Sequence, residues 1–194
     1  MDIPQHKRSV VAGGNGFGNA PDQFDHPVGI FVDHNSNLYV ADLDNHRVQK
    51  FALGSTVGVT VAGGNGPGFA ANQLQFPTAV FVDEAGNVYV VDDGNHRVQK
   101  WAPGATSGVT VAGGNGPGAA ANQLQYPYGL YVDGFGNIFI GDATKQPDSG
   151  MDTRRYHRYH RSGVAMVWAR APVNSMIRGS FGWMQTVIST FRMT

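Results

Sequence analysis

At 194 residues the chain has the length of one ordinary domain, and with no cysteine it can form neither a disulfide framework nor a thiolate metal site. No apolar run reaches the roughly 18 residues of a membrane span. Basic and acidic residues balance at 14 each, but unevenly: residues 9–142 hold four basic against eleven acidic residues, and seven arginines lie beyond Thr144. The acidic part therefore lacks the basic patch that nucleic acid requires, and no nucleic-acid partner is expected for it.

In chain order, residues 1–9 (MDIPQHKRS) have no apolar stretch and no small-residue cleavage site. They read as an irregular start and not as a signal peptide. Residues 10–143 then repeat every fifty positions: Pro27, Pro77 and Pro127 align, as do Val11, Val61 and Val111, and Asp42, Asp92 and Asp142. A fixed period of this length signals a repeat architecture. In the first copy, residues 29–33, 37–42, 47–51 and 57–61 are β-branched, aromatic or alternating, and Gly, Asn, Asp and Pro clusters separate them. The spacing predicts four short strands per copy, with copies at about 27–76 and 77–126, a partial one at 127–143, and no helix before Ala143. Gly86 and Gly136 suit the positive φ of a hairpin turn between the first two strands. The first copy has Ser36 there, so Asn35 or Asn37 is expected to take that conformation.

Four strands per repeat, stacked radially, form the blade of a β-propeller. The pattern P-x-G-x-x-V-D-x-x-G-N-x-Y-V-x-D-x-x-N-H-R-V-Q-K-[FW] resembles the NHL repeat. Pro27, Gly29, Val32, Asp33, Asn37, Tyr39, Val40, Asp42, Asn45, His46, Arg47, Val48 and Gln49 carry it here. The second copy matches as well, with Ala79 in place of the usual glycine. The third keeps Pro127, Gly129, Val132, Asp133, Gly136 and Asn137, then lacks the Asn-His-Arg-Val-Gln segment. The resemblance implies an all-β fold of four-stranded blades, in domains that are similar to six-bladed propellers, although other blade numbers occur. Two full repeats and a fraction do not close a ring. The chain is thus expected to be a fragment of a larger propeller, with exposed sheet faces prone to aggregation. The full propeller is expected to be monomeric and the fragment to self-associate.

Residues 144–194 break the period. The run 154–161 (RRYHRYHR) looks like a basic, aromatic nucleic-acid patch, yet other reading frames of its codons restore the missing repeat. The genetic code forces four of these matches. Met151 before Asp152 becomes a tryptophan fifty residues after Trp101. Met166 before Val167 becomes a glycine opposite Gly116. Trp168 before Ala169 becomes a glycine opposite Gly118, and Trp183 before Met184 an aspartate opposite Asp133. The tail reads as a frameshifted fourth repeat, with slips near Ala143 and Gly163, and is expected to be non-native or disordered.

Each repeated polar residue has an architectural and a chemical reading. The Gly-Gly-Asn-Gly runs at 13–16, 63–66 and 113–116 lack the following helix of a phosphate cradle and read as blade-to-blade connections. His46 and His96 recur once per blade. A ring of such histidines is a candidate metal site, as in NHL-type propeller lyases, but the residue also suits a plain turn role, and no metal or cofactor is assigned. Asp42 and Asp92 stand five residues before Arg47 and Arg97, which suits a bidentate ion pair within the turn. Asp33, Asp83 and Asp133 open Asp-x-x-Gly-Asn-type turns. They lack the distal glutamate of a calcium loop and read as Asx turns. With Asn45, Asn95 and Asp142 these residues make up the structural motif of the repeat, and no catalytic constellation stands out. The expected function is a non-enzymatic binding module that presents loops to a protein or glycan, in an extracellular or cell-surface parent protein. The alternatives are a metal-dependent lyase or hydrolase on the same propeller, and an RNA-binding NHL domain.

Overall fold

Strands of five or six residues, each closed by a turn former, leave the chain little choice but short antiparallel hairpins. The computed structural model describes residues 10–143 and the backbone of residues 155–159. Blade 1 contains β1 (Pro27–Val32), β2 (Leu38–Asp42), β3 (Arg47–Phe51) and β4 (Val59–Gly63), hydrogen-bonded in that order. Blade 2 repeats it with β5 (Pro77–Val82), β6 (Val88–Asp92), β7 (Arg97–Trp101) and β8 (Val109–Gly113). A third sheet has β9 (Pro127–Val132), β10 (Ile138–Asp142) and β11 (Arg155–Tyr159), with β10 in the middle. The one helical turn among the described residues is a 3₁₀ segment, Asp93–Asn95.

Register repeats as closely as sequence. Asp42 pairs with Arg47 and Leu38 with Phe51 in blade 1; Asp92 pairs with Arg97 and Val88 with Trp101 in blade 2. In the third sheet Asp142 pairs with Arg155 and Ile138 with Tyr159, so the backbone of β11 takes the register of β3 and β7. The rest of the segment read as a frameshifted repeat lies outside the described residues. Strand β4 starts at Val59, two residues later than its alternation predicts. The reason is local: the Gly58 N–H is drawn out of the sheet to the Pro21 carbonyl (2.8 Å), and a Cβ on Gly58 would meet the Phe51 ring.

The first strands line up from blade to blade, β1 beside β5 and β5 beside β9. Gly29 lies at this approach, where a Cβ would run into the Thr78 carbonyl, whereas the next junction accommodates the Cβ of Ala79. Phe31, Phe81 and Tyr131 form an aromatic row along these strands, with ring centroids 4.9 and 5.4 Å apart. Because side chains alternate across a strand, each blade has two apolar faces. The later face of blade 1 (Tyr39, Val48, Ala62) packs on the earlier face of blade 2 (Val80, Val82, Val88, Val90, Trp101). The later face of blade 2 (Tyr89, Val91, Val98, Ala112) packs in the same way on Val132, Ile138 and Ile140. Burying each valine or isoleucine stabilises these junctions by about 1.5–3 kcal/mol. Among the described residues the three sheets form an open arc that does not close into a ring.

Candidate functional site

The Asp–Asn–Arg letters of the repeat build a buried joint. Asp92 is fully buried and Arg97 nearly so. Arg97 Nε donates to Asp92 Oδ2 (2.6 Å), and Asn95 Nδ2 donates to the same oxygen (2.9 Å). The Gln75 N–H takes the other carboxylate oxygen (2.7 Å). The pair is therefore not bidentate, contrary to the expectation from sequence. With Asp92 already saturated, the guanidinium turns its remaining N–H groups to the carbonyls of Phe69, Ala70 and Gln73, in the connection that leads into its own blade. Blade 1 repeats the joint, with Arg47 held by Asp42 (2.8 Å) and reaching Asn19, Ala20 and Gln23. Asn45 again joins the carboxylate to the connection, at Gly18. Asp142 starts a third joint by accepting from the Gln125 N–H (2.8 Å). Burial pushes the Asp92 carboxyl up from its ordinary value, while Asn95, the Gln75 N–H and Arg97 oppose that rise.

The turn aspartates also face inward on their own backbone. Asp33 Oδ1 accepts from the Asn35 and Asn37 N–H groups (2.9 Å each), and Asp33 Oδ2 from Asn37 Nδ2 and the Tyr39 hydroxyl. Asp83 and Asp133 bind Asn87 and Asn137 in the same manner. Burial pushes the Asp33 carboxyl up, but the hydrogen bonds from Asn37, Asn35 and Tyr39 outweigh it and hold it below the usual carboxylate range. Tyr39 moves the other way: burial and the neighbouring Asp33 push its phenol up to about 12. The positive φ in the first turn falls on Ser36 itself (φ 62°), not on Asn35 or Asn37. The reason is that Asp33 Oδ1 holds the N–H groups of both asparagines, which leaves the residue between them to turn the chain.

His46 and His96 sit where blades meet. Both are left-handed (φ 52° and 50°), and each Nδ1 accepts a backbone N–H from the next blade, from Phe76 (3.2 Å) and Tyr126 (3.5 Å). Their rings also meet those of Phe76 and Tyr126 edge-on. The Gly-Gly-Asn-Gly runs lie in the connections; Gly63 and Gly113 end β4 and β8 with φ of 69° and 67°, and no helix follows them.

Two groupings were not read from the sequence. The first is specific to blade 1: His26 Nδ1 lies 2.9 Å from Asp25 Oδ1 and 2.6 Å from Asp44 Oδ2, an ion pair when the imidazole is protonated. The available signal was departure from the repeat, since Gln75, Phe76 and Gly94 occupy these positions in the second copy. The second is a cleft of about 750 Å³ between blade 2 and the third sheet, at the hairpin-turn end. Phe81, Tyr89 and Tyr131 supply aromatic walls, Asp83, Glu84 and Asp133 line it with carboxylates, and Lys100 lies over the Tyr89 ring (5.3 Å). Phe135, 88 % exposed at the tip of a turn, stands at its mouth. Phe135 is unlike the small or polar residues of the other two turns, Asn35 and Ala85, and that was its signal.

The family model described as NHL repeat matches residues 24–51 and 74–101. No curated protein matches the chain in sequence. Solved structures that share its fold include a gluconolactonase from Xanthomonas campestris, with TM-score 0.56 and 16 % identity over 77 % of this chain and 49 % of that one. A chain of the nidogen/laminin complex gives TM-score 0.53 and 17 % identity over 74 % and 48 %. Virginiamycin B lyase from Staphylococcus aureus gives 0.50 and 15 % over 79 % and 44 %. The chain thus spans about half the length of the propeller structures it matches.

Proposed function

This is an NHL-repeat chain of β-propeller architecture, and on that premise we propose that it is a binding module for a protein or glycan partner. One observation carries the reading. The Asp–Arg pairs that the two full repeats share, Asp42 with Arg47 and Asp92 with Arg97, are buried in joints, whereas Glu84 and Phe135, which differ in kind from copy to copy, line an open cleft. Aromatic walls suit the apolar face of a sugar ring or an apolar side chain, and the exposed Glu84 carboxylate suits hydroxyl or ammonium groups. The nidogen/laminin structure supports the protein form of this reading as an analogy of fold. Screening the chain against glycan and peptide arrays tests it. Ligands retained by the wild type are expected to be lost from Phe135→Ala and Glu84→Gln, which change exposed cleft residues. Retention by both variants would place the ligand elsewhere.

The enzymatic alternative, a metal-dependent lyase or hydrolase, has one observation in its favour: the ligand atoms of Asp25, His26 and Asp44 lie within 4.8 Å of one another. One equivalent of zinc in protein purified without chelator, lost in Asp44→Asn, would favour that reading.

A further inference from the structure

Outside the joints, the described side chains carry a one-sided charge. Residues 9–142 hold eleven acidic and four basic residues. Asp42, Asp92 and Asp142 are buried at the joints together with Arg47 and Arg97, which leaves eight carboxylates against Lys50 and Lys100. The cleft between blade 2 and the third sheet concentrates that imbalance, since Asp83, Glu84 and Asp133 line it against Lys100 alone. Asp83 and Asp133 are held by neutral donors, namely Asn87, Asn137 and the Tyr89 hydroxyl, so their hydrogen bonds leave their charge in place.

The chain also shows how it seats a cation. Lys50 lies over the Tyr39 ring (5.5 Å), Lys100 over Tyr89 (5.3 Å) and Arg97 over Phe69 (4.4 Å). Three of the four basic side chains in this part thus rest on an aromatic face, where the ring quadrupole attracts positive charge. Phe135 offers such a face at the cleft mouth, 88 % exposed, with no ring or cation of the described residues against it. Glu84, also exposed, lines the same cleft.

We propose that the cleft seats a basic side chain of a protein partner, an arginine above all, with its guanidinium on the Phe135 ring and its N–H groups toward Glu84. This seat rests on the binding reading above and narrows the ligand from a protein or glycan to a cationic peptide segment. Arginine suits it better than lysine, because the planar guanidinium stacks on a ring and is more weakly hydrated than an ammonium. Asp83 and Asp133 act at longer range: their field steers a cation into the cleft without releasing the turns they hold.

The probe is an end-capped peptide, Gly-Ser-Arg-Ser-Gly, titrated to millimolar concentration into the full chain and followed by NMR chemical shifts. Its control carries citrulline, which keeps the shape of arginine and lacks its charge. The arginine peptide is expected to bind about tenfold more tightly, equivalent to ~1.4 kcal/mol, by a margin that shrinks as salt rises. Glu84→Gln should abolish most of that margin. Phe135→Ala, which removes no charge, should weaken the arginine peptide about as much, and Phe135→Trp should bind it at least as well as the wild type, since tryptophan is the best ring for a cation. Lys100→Gln should tighten binding a few-fold by removing a like charge. Equal affinity for the citrulline peptide overturns the proposal, and so does the absence of shifts with either peptide. So does an arginine preference indifferent to Phe135→Ala, which would put the cation elsewhere on the acidic surface. The binding reading is judged separately: glycans retained on the array by the wild type and lost from Phe135→Ala, with no arginine preference, would keep that reading and overturn this one.

Discussion

Blades 1 and 2 share their strands, register and joint, yet Val80 is buried and Ile30 is not. The difference lies in the neighbour and not in the residue. A sheet of this kind is incomplete in its packing, and its stability depends on what stacks against it. Blade 2 has a sheet on either side and blade 1 has one among the described residues. Equivalent substitutions in the two blades should therefore agree where they touch the joint and diverge where they touch a face.

The joint gives the largest effect. Arg97→Ala leaves Asp92 buried without its cation and should cost about 3–5 kcal/mol in chemical denaturation. Arg47→Ala should cost somewhat less, because Arg97 also lies over the Phe69 ring (4.4 Å) and the first copy has Asn19 at that position. Equal losses would mean that the ring contributes nothing. Next come the faces. Val80→Ala should cost about 1–2 kcal/mol as a buried truncation, whereas Ile30→Ala, measured where the chain is monomeric, should stay within about 0.5 kcal/mol. Similar values for the two would break the contrast between the blades.

The hairpin turns come third. Gly86→Ser puts a side chain at φ 80° and should destabilise by about 1 kcal/mol. Ser36→Gly should stabilise by less than that, since the greater freedom of glycine in the unfolded chain offsets part of the relief. The smallest effect is a pH effect. The Tyr39 phenol, raised from 10.0 to about 12, should titrate late in an ultraviolet absorbance experiment. A folded pKa above the unfolded one means a contribution present below pH 10 and lost as pH rises toward 12. Tyr39→Phe should remove that loss; an unchanged alkaline profile would assign it to another group.

Much of this architecture is legible in the sequence, because alternation and turn chemistry are local. Residues 47–51 read as a strand and are one, and Asp33 reads as an Asx turn and binds Asn35 and Asn37. What escapes is set by distant atoms. The bidentate pairing expected of Arg47 is lost to carbonyls 24 to 28 positions away, which a five-residue spacing cannot reveal. The burial of Val80 depends on a sheet fifty residues upstream. The cleft draws its walls from two sheets, and nothing near Phe135 announces Phe81.

The arginine joint bears on how such chains lengthen. Arg47 grips Asn19, Ala20 and Gln23, and Arg97 grips Phe69, Ala70 and Gln73, at identical separations. Lock and keyhole thus fall inside a single fifty-residue period, with the lock always downstream. A DNA segment copied in tandem over that period carries a finished hinge with it, so a new blade arrives already fastened to its own entry loop. In synthesis the same arrangement puts each entry loop 24 to 28 residues ahead of the arginine that fastens it.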